Sequence, residues 1–313
     1  MCKKIKEVAN LKSKSNSIII LMLVTVFLFA GCGAKVVPPD STIKTPELTE
    51  SKSVKIMDEY RALMNASSAP SEIMKYVETN IGNLNKEDGD IVLSGLIEVQ
   101  KKQLQNYQDK LYSPVMTRII SQYKVEDLTS LNNIKEEDVK KLLGNAFNDG
   151  YKLIMAEGMY DFELDYEKLE NKFSPYVTEG TAAFLGIMAK ENKAHFAADG
   201  AIIISLDELA DRVINTENFL GKFGTSQYAK EIKERYNWYL TAYLIGLNNT
   251  PAFSYEDNII ENEVLSNFNN TITKYKDSKL AVTLKDYIAL VTKNELKKTN
   301  EVLDFVTKVT ATP

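Results

Sequence analysis

The sequence predicts an all-α protein built from antiparallel helical hairpins, and three observations carry the prediction. Apolar residues recur at three- and four-residue steps along most of the chain. Fourteen glycines and eight prolines in 313 residues are few for a fold that spends glycine on tight turns and phosphate loops. Helix-start signals stand ahead of the apolar stripes, Ser205 with Glu208 being the clearest.

Residues 1–31 are read apart from the fold. Lys3, Lys4, Lys6, Lys12 and Lys14 make a basic start, and residues 18–30 carry no charge. That apolar run has the length of a signal peptide's core and falls short of the roughly 20 residues of a spanning helix. It ends in Leu28-Phe29-Ala30-Gly31-Cys32. This resembles the lipobox of bacterial lipoproteins: an aliphatic residue, two small residues and the cysteine that receives diacylglycerol. Phe29 stands where Leu is usual. The resemblance implies acylation at Cys32 and attachment to the extracytoplasmic face of the cell membrane. An uncleaved anchor or an ordinary secretory signal is the competing reading, and each also places the body outside the cytoplasm.

Composition then excludes several classes of function. Cys2 leaves with the leader and Cys32 is acylated, so the body has no thiol for catalysis, redox chemistry or a thiolate zinc site. The net charge is −5, and without the leader's five lysines and one glutamate it is −9. An acidic chain without a basic cluster is a poor nucleic-acid binder.

A polar, proline-containing tether is predicted over residues 32–51. Val54, Met57, Tyr60 and Leu63 are spaced for a helix over 54–66, and Pro70 opens a second with Met74 and Val77 inward. Leu93, Ile97, Leu104, Tyr107 and Leu111 make 90–112 a long amphipathic helix, broken by Ser113-Pro114 before 116–123. The polar stretch 125–132 is the expected boundary between an N-terminal helical subdomain, 52–124, and a C-terminal one, 133–309. Asn133 with Glu136 resembles a capping box for a helix carrying Val139, Leu142, Leu143 and Phe147 and running on to Met155. Around 159–166, Tyr160, Phe162, Leu164 and Tyr166 alternate with acidic residues, which predicts a short hairpin or an extended loop. Helices follow at 181–193, from Leu206 onward, and at 227–246, where Tyr228, Ile232, Tyr236, Tyr239 and Tyr243 share a stripe. Asn248-Asn249-Thr250-Pro251 stops the last of these, and two more helices, 260–275 and 280–309, complete the chain.

One pattern occurs twice. Asn218, Lys222, Phe223, Ser226, Ala229 and Ile232 recur 52 residues later, without gaps, as Asn270, Lys274, Tyr275, Ser278, Ala281 and Leu284. Each copy reads as helix, turn, helix, with the serine capping the second helix. The turn resembles that of tetratricopeptide-like repeats in bacterial envelope proteins, with Gly224 and Lys276 where Pro is usual and a longer spacing. That resemblance covers residues 205–294 and implies a binding scaffold with a groove between stacked hairpins. Independent reuse of a common αα-turn is the other reading.

No catalytic, metal or cofactor motif is assigned. His195 is the only histidine and is expected at the surface or in a cap. Asp161, Glu163, Asp165 and Glu167 fall at every second position, but Tyr166 and Lys172 stand where a calcium loop needs Gly and Glu. As a strand they give one solvated acidic face. Trp238, Tyr239 and Tyr243 are the candidate partner-binding residues, with Trp238 off the apolar stripe and expected exposed; an aromatic core is the alternative. These readings combine in a lipid-anchored, extracytoplasmic, non-catalytic binding or scaffolding module for a protein or peptide partner. A solute-binding lipoprotein serving a transporter, and a carboxylate-based cell-wall hydrolase, are the alternatives.

Overall fold

The apolar periodicity is realised almost throughout as helix. A computed structural model describes residues 47–311, so Cys32 and the segment read as a leader lie outside the described residues. Those residues hold thirteen α-helices and three two-stranded antiparallel hairpins, an all-α fold with short β additions.

Helix α1 (Glu47–Asn65) begins inside the segment read as tether. Its inward stripe is Ile56, Met57 and Tyr60, while Val54 is exposed, because steps of three drift off a 3.6-residue face. Helix α2 (Pro70–Asn80) starts on its proline and buries Met74 and Val77. The long helix α3 (Lys86–Leu111) is opened by Asn85, whose side chain accepts from the Asp88 N–H at 2.8 Å. Helix α4 (Pro114–Ile120) follows the Ser113-Pro114 break. Fully burying each of Ile73, Val77, Leu93 and Leu96 contributes roughly 1.5–3 kcal/mol. The exposed i,i+4 pair Lys55–Glu59 contributes at most about 0.5 kcal/mol, so the apolar faces decide how these helices pack.

Three local expectations fail between residues 125 and 156. The stretch read as a polar boundary is helix α5 (Val125–Ser130), whose Leu128 is buried in one apolar cluster with Ile120, Ile134 and Val139. Helix α6 (Glu137–Asn148) has no capping box: Asn133 takes a left-handed conformation and donates to Asp127 at 2.9 Å. Nor does α6 run on to Met155. At Gly150 φ is +91°, and a Cβ there would collide with the Gln100 amide of α3, so glycine lets the chain turn out of the helix.

Strand β1 (Tyr151–Ala156) then pairs with β2 (Met159–Leu164) across a two-residue turn, Glu157-Gly158, with φ positive at both positions. Phe162 and Leu164 face the core. The acidic alternation ends in a cap: Asp165 accepts from the Lys168 N–H at 2.9 Å and opens α7 (Tyr166–Phe173).

Helix α8 (Glu179–Lys193) leads through the hairpin β3 (Ala197–Ala198) and β4 (Ala201–Ile202) to α9 (Leu206–Phe223). Ser205 caps α9 as predicted, accepting from the Glu208 N–H at 3.1 Å. In α10 (Ala229–Ile245) the stripe Ile232, Tyr236, Tyr239 and Tyr243 is buried. The stop after it is a hairpin, β5 (Gly246–Leu247) with β6 (Thr250–Pro251). Helices α11 (Asn262–Lys274), α12 (Lys279–Lys293) and α13 (Asn300–Ala311) follow. The single helix expected over 280–309 is therefore two. It breaks where Glu295 and Leu296 adopt positive φ and the Leu296 N–H turns back to the Val291 carbonyl at 2.8 Å.

Both copies of the repeat form helix–turn–helix units, α9–α10 and α11–α12. Ser278 caps α12, accepting from the Ala281 N–H at 3.0 Å. Ser226 does not cap α10: its hydroxyl is buried without a hydrogen-bond partner, and Tyr228 holds the N-cap position. Two apolar clusters hold the helices together. One gathers residues from Met57 to Ala189 with Phe219, Tyr228 and Ile232; the other runs from Phe196 to Val306. Leu220 packs against both.

Candidate functional site

Helices α8 and α9 lie antiparallel. Glu179 pairs with Lys222 at 2.7 Å toward one end, and Lys190 with Glu208 at 2.9 Å toward the other. Ala183, Gly186, Ile187 and Lys190 fall at i, i+3, i+4 and i+7 on α8, and Asn215, Asn218, Phe219 and Lys222 repeat that spacing on α9. Ala183 and Gly186 bring little bulk to their stripe, so the two stripes leave a pocket of about 320 Å³ between them. Ile187, Phe219, Phe223 and the ring of Tyr239 line it with apolar surface, and Asn215, Asn218 and Lys222 are exposed. Its charged lining residues are Lys190, Arg212 and Lys222, all cations. A concave, mostly apolar site with a few convergent polar groups is the usual form of a ligand site.

A buried ionic cluster shares Arg212 and Tyr239 with this pocket. Glu191 accepts from the Arg212 guanidinium, from the Tyr239 hydroxyl at 2.6 Å and from the Phe196 N–H at 3.1 Å. Arg235 lies 3.8 Å away. Arg212 is only 3% exposed and is held further by Glu208 at 3.2 Å and the Ala194 carbonyl at 2.7 Å. His195 keeps 39% of its side chain exposed, in keeping with the surface position expected, but it is also drawn into this cluster. It stands between Glu163 of β2, 3.4 Å from Nε2, and Glu191, 3.7 Å from Nδ1. Lys152 pairs with the same Glu163 at 3.3 Å and with Glu167 at 3.2 Å, so these two of the alternating acids belong to an ion-pair network.

The charges in this cluster are fixed at neutral pH. Glu163 and then Glu191 raise His195 to about 9 against the opposing effect of burial. Burial works to raise Glu191, but His195, Tyr239, the Phe196 N–H and Arg212 outweigh it and hold the carboxyl at about 2. Burial, chiefly, pushes the Tyr239 hydroxyl up to about 12. Histidine is a cation, glutamate an anion and tyrosine a donor, which suits them to holding geometry.

A pH dependence follows. His195, raised above 6.5, stabilises the fold fully below pH 6.5, and this is lost as pH rises through about 9. Glu191, lowered from 4.5, stabilises above pH 4.5, and this is lost as pH falls through about 2. Thermal melting should therefore be most favourable between about pH 4.5 and 6.5 where these two groups are concerned. The variant His195→Gln should flatten the decline between pH 6.5 and 9 in melting curves followed by circular dichroism. An unchanged alkaline limb would remove His195 from the cluster's energetics.

The three aromatic candidates do not form one surface. Trp238 is 52% exposed and rests edge-on against Phe196 at 4.5 Å between ring centroids. Tyr239 is buried at 1% and meets a ligand only through the pocket wall. Tyr243 is interior, bonded to Asn267 at 2.6 Å and Thr271 at 2.8 Å. The sequence reading named Tyr239 but missed the other pocket residues and Glu191–Arg212. Two signals pointed to them: the small-residue stripe on α8, and acid–base pairs at i,i+4 in Glu191–His195 and Glu208–Arg212.

A larger cleft of about 640 Å³ lies among α2, α6 and α7. Several of its polar groups are already engaged: Lys172 pairs with Glu78, Lys168 donates to the Phe147 carbonyl, and Asp149 accepts from the Ser71 N–H and the Tyr107 hydroxyl. Among the described residues no group of three His, Cys, Asp or Glu side chains is placed to hold a metal ion, and no helix is long and apolar enough to cross a membrane. Comparison with known proteins finds no matching family model, no curated protein similar in sequence and no similar solved structure.

Proposed function

We propose that the protein is a lipid-anchored, extracytoplasmic binding module that holds a protein or peptide partner at the cell envelope without reacting with it. The observation that carries this reading is the α8–α9 pocket, apolar inside with amide and cationic side chains among its lining. The address rests on the sequence, in which a basic start, an apolar run and Ala30-Gly31-Cys32 stand in lipoprotein order. The 15 residues from Cys32 to Glu47 reach at most about 50 Å, which keeps a body anchored at Cys32 close to the bilayer.

Two measurements in the native cells test the reading. The wild-type chain should take up labelled palmitate in the cells, and Cys32→Ala should abolish the label; a wild-type chain that takes up no label would overturn the lipid anchor. A photo-crosslinking amino acid at Asn218 should give one discrete adduct, and filling the pocket with Ala183→Trp should remove it. A crosslinker at Asn218 that traps nothing would overturn the pocket as the docking site.

A further inference from the structure

We infer that the α8–α9 pocket takes a carboxylate carried on an apolar body, in the form of a peptide's C-terminal apolar residue. This rests on the binding reading above and adds the chemistry of what is bound.

The first support is the sign of the lining. Lys190 comes from α8, Arg212 and Lys222 come from α9, and no carboxylate lines the pocket, in a chain whose net charge is −5. The second is that these cations differ in how firmly they are held. Arg212 is locked by Glu191, Glu208 and a backbone carbonyl, and Lys190 is paired with Glu208 at 2.9 Å, so the charges of both are already compensated within the fold. The Lys222–Glu179 pair has its two side chains 66% and 74% exposed, and solvent screens such a pair to little net value. Lys222 can therefore exchange Glu179 for a ligand carboxylate at small cost.

The remaining lining limits what carries that charge. Phe219, Phe223 and Ile187 form an apolar slot whose volume of about 320 Å³ equals roughly ten waters. That holds one large apolar residue and excludes a helix or a folded edge. Apolar body and negative charge must then sit on the same residue. Asp and Glu side chains lack the apolar bulk, whereas a C-terminal Phe or Leu has both. Asn215 and Asn218, exposed beside the slot, offer amide donors and acceptors to the peptide groups that precede the last residue.

Fluorescence polarisation on the detergent-solubilised full-length chain tests this, with fluorescein-labelled Gly-Ser-Ala-Phe as the free acid and as the C-terminal amide. The acid should bind at least about tenfold more tightly than the amide, the difference expected for one charge-assisted hydrogen bond. Lys222→Gln should weaken the acid by a similar factor and leave the amide unchanged, and Lys222→Arg should restore the preference. Ala183→Trp should block both while the melting temperature holds. Equal binding of acid and amide, both blocked by Ala183→Trp, would overturn the carboxylate and leave the binding reading standing. Displacement by 3-phenylpropanoate at the peptide's own affinity would replace the peptide terminus with a free apolar acid. Binding of neither peptide, with the Asn218 crosslink still formed in cells, would overturn this inference alone; loss of the crosslink as well would overturn both.

Discussion

Glu191→Ala is expected to lower stability by about 3 kcal/mol, because it takes from a guanidinium that is 3% exposed the nearer of its two carboxylate partners and leaves only Glu208. The substitution removes the acceptor for Arg212, for the Tyr239 hydroxyl and for the Phe196 N–H together. Replacing both charges, as Glu191→Met with Arg212→Met, should recover most of the loss, since the desolvation cost of the pair disappears with it. Urea unfolding reads the difference as a shift in midpoint at constant slope. A loss below about 1 kcal/mol would mean that solvent reaches Arg212 and that the cluster is not buried in the energetic sense.

Gly246→Ala should cost about 3 kcal/mol, for a reason unrelated to charge. Gly246 ends α10 at φ 75° and ψ −170°, a region that L-residues with a Cβ scarcely populate. A Cβ there would also collide with the Ala252 nitrogen and the Thr250 oxygen of the hairpin it begins, and these are backbone atoms that cannot rotate away. Relief would require moving β6 against α10, whose last turns carry the buried Tyr243 and Leu244. Gly221→Ala is the matched control. It lies inside α9 with open space around it and should gain up to about 1 kcal/mol from helix propensity. If both variants unfold at the wild-type urea midpoint, the backbone at Gly246 is not under the constraint described.

Much of the helical architecture was legible because its signals are local. Pro70, Ser113-Pro114 and Ser205 with Glu208 act within one turn of themselves, and each marks a helix start in the structure. The tyrosine stripe of α10 and the exposure of Trp238 beside it follow from a 3.6-residue period that needs no partner to be read. The repeated aromatic-to-serine turn likewise locates α9–α10 and α11–α12.

Tertiary structure decided the rest wherever distant segments compete with local preference. Tyr151-Lys152-Leu153-Ile154-Met155-Ala156 is as compatible with helix as with strand, and it becomes β1 because Gly150 turns the chain against α3 and β2 supplies the partner. The polar stretch around Leu128 becomes helix because an apolar cluster already awaits one leucine there. The candidate site shows the same division. Ala183 and Gly186 at helical spacing were readable as a small-residue stripe, but a stripe becomes a pocket only when the facing residues, Asn215 and Phe219, fail to fill it. Glu163 and His195 read singly as surface groups, and nothing in the sequence singled out Glu191 or Arg212. The fold brings β2, α8 and α9 together around them, and removing water from their midst turns ordinary side chains into one ionic cluster.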